Sequence, residues 1–348
     1  MALVGLMLLL APARADDHVF DATWLAARDR GWVEALISVS DAAPLRRFAR
    51  EVAGWRELAA FPIDPPQLDF YTAKPIVGHQ PRQWLLGDAA RTPGLVRILQ
   101  FNDSASVAIR AGANPWDTGG ILSLMTRSNR TLDVYHAAQR QGWNAINDPV
   151  ELVLPDTGVR LTNVIVRGPD AVSISIYERL SPRLPDEPDL LRLRRPFNAM
   201  QSVRDISLAR RFYTEVLGFE IVSQGEFPNQ VRAPNNFGTP ANLVVLQPIL
   251  FTIVGPRKDG PTQVELVQMP GVEGRDLAQR ARPPNLGILG LRFPVTDLSV
   301  IRERLAAYQW PVARSASRLH IAPWGLVNVL AVQAPDGAWL EFLQKATP

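Results

Sequence analysis

The feature that most limits how this chain can fold is that it repeats itself. The stretch Val203 to Phe219 reads V-R-D-I-S-L-A-R-R-F-Y-T-E-V-L-G-F. Asp205 or Ser207 can cap a first turn, Leu208, Phe212 and Val216 recur at helical spacing, and Gly218 can turn left-handed at the end, so it predicts one amphipathic helix with both ends signed. Phe197 to Val203, just before it, reads as a short buried strand. Subtracting 164 from each number lands on Val39, Asp41, Arg46, Arg47, Phe48, Glu51, Val52 and Gly54, identical to Val203, Asp205, Arg210, Arg211, Phe212, Glu215, Val216 and Gly218. The later parts repeat as well. Gly120, Ile121, Leu122, Leu124 and Trp143 fall 167 before Gly287, Ile288, Leu289, Leu291 and Trp310, and Pro169-Asp170 falls 166 before Pro335-Asp336. A constant register through a whole strand-helix unit signals internal duplication of a unit of roughly 150 residues. Within each copy a weaker echo, Val295-Thr296-Asp297 followed by a helical run to Trp310, makes each unit itself double.

A chain of 348 residues with 47% hydrophobic content has material for two cores. The net charge of +3 is small, and the 37 basic residues, all arginine except Lys74, Lys258 and Lys345, are scattered among 34 acidic ones, so no nucleic-acid partner is expected. Leu3 to Leu10 is an apolar run closed by Ala13-Arg14-Ala15. It reads as a secretory signal over 1–15, without side-chain cations at its start, and it predicts a periplasmic or secreted protein; the alternative is a cytoplasmic one. No other stretch approaches the roughly 20 apolar residues that a membrane span needs. With no cysteine, disulfides, thiol catalysis and Cys-ligated metals are excluded.

Val-x-Asp, a short helix with a Phe-Tyr pair, Glu-Val-Leu-Gly-Phe, and far downstream Pro-Asp-Gly-x-x-Leu-Glu-Phe at 335–342 resemble the vicinal oxygen chelate superfamily, which includes glyoxalase I, extradiol dioxygenases, fosfomycin resistance proteins and bleomycin-binding proteins. The resemblance implies an α+β fold of four βαβββ modules, paired into two glyoxalase-like half-barrel domains, 31–180 and 196–346, joined by the Pro-rich, charged linker 181–195. The modules run from Trp32 to Phe101, Gly119 to Glu178, about Phe197 to Pro270, and Asn285 to Gln344, with a short helix over 18–30 leading in. Phe61 to Arg91, rich in proline and aromatics, would drape over a cup mouth.

In metal-dependent members the ligands come from first and last strands of paired modules, where alternate residues point inward. The resemblance places the first-strand slot seven residues before the Val-x-Asp aspartate. It assigns Glu34, Ser123, Asn198 and Gly290 to these slots, and Arg97, Ser175, Glu265 and Glu341 to the last strands. No family histidine is kept, which makes ferrous ring cleavage the weaker expectation. The second domain offers Asn198, Glu265 and Glu341, an all-oxygen set suited to Mg, Mn or Ca before Fe or Zn. The plain alternative is solvated glutamates at strand ends. In the first domain, an inward Arg97 would pair with Glu34 and stand where an ion would otherwise sit.

Of the four histidines, His320 in Ser317 to Ala322 could face inward as an acid or base, with Glu265 and Glu341 as the other catalytic candidates. His79 lies in the lid-like stretch, and His18 and His136 read as exposed. The loop Pro228 to Asn242, before an expected strand at Leu243 to Gln247, offers Arg232, Asn235, Asn236 and Phe237 for ligand recognition. Tyr213, Glu34 and Arg97 complete the ligand-binding candidates. Two functions stand: a metal-dependent lyase or isomerase acting on an oxygen-rich small molecule, and a metal-free small-molecule binder or sequestering protein of the bleomycin-resistance type. Either is a monomer or homodimer with a small-molecule partner.

Overall fold

The computed structural model describes residues 17–72, 80–153, 157–183, 192–228, 232–233, 235–244 and 246–347. The signal-like segment 1–15 and His79 lie outside them. Helix α1 (Asp17–Ala27) leads into a first module of β1 (Glu34–Ser38), α2 (Ala42–Phe48), β2 (Arg56–Pro62), α3 (Pro65–Tyr71), β3 (Arg82–Gly87) and β4 (Leu95–Gln100). The second holds β5 (Ser123–Arg127), α4 (Thr131–Arg140), β6 (Asn144–Ala145), β7 (Val150–Val153), β8 (Arg160–Arg167) and β9 (Ser173–Ser181). The third holds β10 (Asn198–Ser202), α5 (Ile206–Arg211), β11 (Glu220–Phe227), β12 (Ile249–Gly255) and β13 (Gln263–Gln268). The fourth holds β14 (Gly287–Pro294), α6 (Leu298–Ala307), β15 (Arg314–Ile321), β16 (Gly325–Gln333) and β17 (Trp339–Lys345).

The repeated aspartates do the same work three times. Asp41 accepts from the Ala43 N–H, Asp205 from those of Ser207 and Leu208, and Asp297 from that of Ser299, each satisfying a first-turn donor that the helix leaves orphaned. Gly54 and Gly218 end the repeated units at φ 75° and 78°, where a side chain would be strained. Both α2 and α5 continue as a wider π turn, Ala49–Ala53 and Phe212–Val216. The change in winding rotates the buried stripe to Ala209, Phe212, Tyr213 and Val216, and leaves Leu208 exposed instead of buried at regular spacing.

The strands form two curled mixed sheets, and neither is built from the two modules of one half. One runs β15-β16-β17-β14-β1-β4-β3-β2, the fourth module with the first; the other runs β11-β12-β13-β10-β5-β9-β8-β6, the third with the second. The joints are antiparallel contacts of first strands, β1 with β14 and β10 with β5. The spans 31–180 and 196–346 are therefore sequence repeats, not two self-contained bowls. All four modules present nearly the same first-strand edge, so order along the chain does not select the partner. The two modules of each half meet instead through their helices, where Phe48 stacks on Trp143 at 3.9 Å and Phe212 packs on Trp310 at 4.7 Å. This shared core on the outer faces of both sheets takes Ala35, Ile37, Leu124, Ala199, Val264 and Leu291, the alternate residues of the central strands.

The inner faces differ. In the first bowl, Phe70 and Tyr71 of α3 and Phe20 and Trp24 of α1 pack onto Leu36, Leu85, Leu99, Trp339 and Leu343. The stretch expected to drape over a mouth thus seals it. In the second bowl the lining is Met125, Met200, Met269, Ile165, Ile249 and Val267, closed by Phe237. The strand expected at Leu243 to Gln247 begins only at Ile249, because the Leu243 and Val244 N–H groups are turned back onto the Pro240 carbonyl.

Because each sheet takes modules from both halves, residues 1–183 and 192–348 expressed separately should show no cooperative unfolding transition by circular dichroism, whereas co-refolded they should regain one. A half that folds cooperatively alone would contradict the nested pairing.

Candidate functional site

The inner face of the first bowl carries a sealed ion network. Arg97 on β4 donates to both oxygens of Glu34, from Nε and Nη2 at 2.9 Å each. Arg292 on β14 donates to Glu34 Oε1 at 2.5 Å and to Glu341 Oε2 at 2.6 Å, and its remaining Nη2 donates to the Tyr71 hydroxyl. Trp339 Nε1 donates to Glu341 Oε1 at 2.9 Å, and Arg97 Nη1 donates to Gln83 at 2.8 Å. All four charged side chains are fully buried. Two guanidiniums against two carboxylates leave no net charge, and each guanidinium nitrogen makes a hydrogen bond. Burial pushes the Glu34 carboxyl up, but Arg97 and Arg292 outweigh it and hold the group below the usual carboxylate range. Burial pushes the Tyr71 hydroxyl up. The pairing of Arg97 with Glu34 is present; Arg292 was missed. The slot expected at Gly290 holds no side chain because a Cβ there would lie 2.2 Å from the Trp339 carbonyl oxygen, and Arg292, two residues on and on the same face, is the inward side chain. The signal was readable, since Arg292 is the lone charge in G-I-L-G-L-R-F-P.

The second bowl is the same design with other residues. Arg97 lies opposite Leu36, and Glu265 lies opposite Met200, 164 residues further on. Arg292 lies between Glu34 and Glu341; Met125 lies between Asn198 and Ser175. The quartet Glu34, Arg97, Arg292 and Glu341 is thereby replaced by Asn198, Glu265, Met125 and Ser175. Glu265 is buried and hydrogen-bonded by the Asn198 amide. Burial pushes its carboxyl up to about 7, an effect that the amide only partly offsets. Asn198 Oδ1 and the buried Ser123 Oγ have no hydrogen-bond partner. Asn163 donates to Ser175 Oγ at 3.0 Å and accepts from Asn236 at 3.3 Å. Tyr177 is raised by burial and then by the Glu265 charge. Asn163, Tyr177 and the methionines were not singled out in the sequence; the module pairing that gathers them was the missing step.

The other candidates scatter. Glu341 belongs to the first sheet and is held by Arg292, so Asn198, Glu265 and Glu341 do not share a focus. His320 on edge strand β15 points outward, 3.2 Å from Asp64, because the strand parity turns Leu319 and Ile321 inward. Tyr213 is buried in the outer, helix-side core and its hydroxyl accepts from Gln201 at 2.7 Å. His136 is exposed on α4. Phe237 is buried in the second bowl, Asn235 shapes its turn by accepting from the Phe237 and Thr239 N–H groups, and Arg232 is exposed.

A divalent metal of the kind the resemblance implies does not fit these donors. In the first bowl two fixed cations stand between the carboxylates. The second offers one carboxyl that holds its proton to about 7, with an amide and hydroxyls. Hard cations need several charged oxygens. Among the described residues no three of His, Asp and Glu converge.

Two variants probe the two bowls. Arg292→Ala should cost about 3–5 kcal/mol in urea unfolding, since it strands buried carboxylate oxygens. For Glu265 the folded group holds its proton more tightly than the unfolded one. Its stabilising effect is present below pH 4.5 and is lost as pH rises through about 7. Glu265→Gln should remove that slope, and its stability gain over the parent should grow by about 3 kcal/mol between pH 5 and 8. Parallel curves would refute the buried, high-lying carboxyl.

No family model matches the chain, and no curated protein does. Solved structures do. A glyoxalase I variant from Zea mays superposes with a TM-score of 0.61 over 95% of this chain and 97% of that one, at 14% identity. The glyoxalase I structure without a stated substitution gives 0.59 over 90% and 92%, at 12% identity. A putative dioxygenase from Bacillus subtilis subsp. subtilis str. 168 gives 0.56 over 92% and 87%, at 10% identity. Likeness at such identities is likeness of fold, and the fold of this chain is glyoxalase-like.

Proposed function

We propose that this protein binds a small molecule without a metal, and that the binding site is the second bowl, around Glu265, Asn198, Ser123, Ser175 and Tyr177. The observation that carries the reading is the contrast between equivalent positions. The charged focus of the first bowl is neutralised, with every guanidinium nitrogen hydrogen-bonded, and the bowl is plugged by α1 and α3, as a structural half would be. The second keeps buried polar atoms without partners beside a carboxyl with no basic partner among the described residues. Unsatisfied buried polar groups cost stability, and a site that keeps them in order to meet a ligand is their usual justification. Asn235, Asn236 and Phe237 at the mouth would contact that ligand, with Arg232 outside it.

This replaces the metal-dependent lyase or isomerase as the first reading. A catalytic form of the same site remains: a carboxyl near 7 can take or give a proton in a metal-free isomerisation. Recovery of bound ligand unchanged after long incubation separates binding from turnover. The apolar run before Ala15 supports an exported protein, and the first described helix starts just beyond it, at Asp17. A mature N-terminus near Asp16 by mass spectrometry would test export.

Metal independence has a direct measurement. Purified protein, loaded in turn with Mg, Mn, Ca, Zn and Ni and then desalted, should retain no stoichiometric metal, and its melting temperature should be unchanged by EDTA. One equivalent of metal, lost in Glu265→Ala and Asn198→Ala, would restore the metal-dependent enzyme.

A further inference from the structure

Resting on the second bowl as the ligand site, we infer that its ligand is a small organic cation, an amidinium, guanidinium or amine on an apolar or aromatic body. The first bowl states the rule by example. There a carboxylate at the focus is met by a guanidinium from the neighbouring strand: Arg97 and Arg292 for Glu34, and Arg292 for Glu341. The register maps Arg292 onto Met125 and Arg97 onto Glu265 itself, so the second bowl has the acid and neither of the cations. Asn198 is the polar neighbour left to Glu265, and an amide carries no charge to balance it.

The remaining surroundings suit the same ligand. An amidinium or guanidinium presents N–H groups in a plane, enough to engage a carboxylate with two bonds and to reach further acceptors. Asn198 Oδ1 and Ser123 Oγ, buried and without partners, are acceptors of that kind. Met125, Met200 and Met269 supply polarizable walls, and Phe227 stacks on Phe251 at 4.7 Å beside them. Thioethers adapt to irregular apolar shapes and aromatic faces attract cations. Of the five methionines in the chain, the three beyond the N-terminal segment all line this bowl, although nothing in the helix-side core required them elsewhere. A crevice at the rim is bounded by Asn235, Thr239, Ile249, Met269 and Pro270, of which Ile249 and Met269 also belong to this lining.

The methionines also provide the test. Protein labelled with carbon-13 in its methionine methyl groups is titrated with benzamidine and, separately, with its neutral near-isostere benzamide, with Met125, Met200 and Met269 assigned through Met→Leu variants. Benzamidine should move these signals and bind about 10- to 100-fold more tightly than benzamide, and Glu265→Gln should erase that difference while leaving the spectrum of the free protein folded. Met125→Arg, which puts a guanidinium where Arg292 stands in the other bowl, should abolish benzamidine binding. Equal binding of both probes, unaffected by Glu265→Gln, would overturn the cation while leaving a small-molecule site in place. If neither probe moves the methionine signals, the second bowl is not the site and the underlying reading falls with it.

Discussion

Glu34, Arg97, Arg292 and Glu341 sit on four adjacent strands, β4, β1, β14 and β17, and two of those come from each half of the chain. Every other feature of the first sheet has to accommodate that set. Four full charges without solvent would be ruinous unless they cancelled and used their hydrogen-bonding groups, and the bidentate and bridging contacts achieve both. Such a set adds little to stability over an apolar core of equal volume. Its stronger effect falls on alternatives: a one-residue slip of β1 against β14 would turn Glu34 to the helix-side core, leaving Arg97 without a carboxylate and Arg292 with Glu341 alone. The network therefore selects the partner for an edge that, by its apolar residues alone, could join any of the four modules.

Once that joint is fixed, the second sheet follows, because the helices lock the two modules of each half together while their first strands are committed elsewhere. Trp32 donates to the Gln263 carbonyl at 2.9 Å, and Thr262 donates back to the Trp32 carbonyl at 2.7 Å, tying the entry of β1 to that of β13. The two bowls are thus built on one frame with unequal contents. One is filled with aromatic residues and paired ions; the other is lined with methionine and holds a carboxyl that resists ionisation. A duplicated frame lets one copy hold the structure while the other tolerates the unsatisfied groups that a site needs.

Local chemistry was legible in the sequence. The Asp41, Asp205 and Asp297 caps, the glycines that end the helices and the four-module count follow from residues close in the chain, and the structure has them. The meeting of Arg97 with Glu34 came from the resemblance, which puts both on strand positions of one module. What failed was whatever depended on which modules share a sheet. Glu341 was grouped with Glu265 because both close a module in the same half, whereas hydrogen bonding along β14 puts Glu341 beside Arg292. His320 failed through the parity of an edge strand, and Gly290 through the close approach of the Trp339 carbonyl, which hands the inward position to Arg292 two residues on.

In the first bowl two guanidiniums stand among the carboxylates, and one of them, Arg97, occupies a strand position where the resemblance puts a metal ligand. An arginine there is a permanent cation with fixed geometry, able to satisfy carboxylates without depending on supply from solution, but unable to offer an open coordination position to a substrate. In the second bowl the acid remains and the cation slot holds the Met125 thioether, so the counter-charge has to be a proton or arrive with the ligand. Which of the two it is decides whether Glu265 acts as a titrating group or as an anchor, and the apolar lining around it raises the stakes by leaving so little else to compensate the charge.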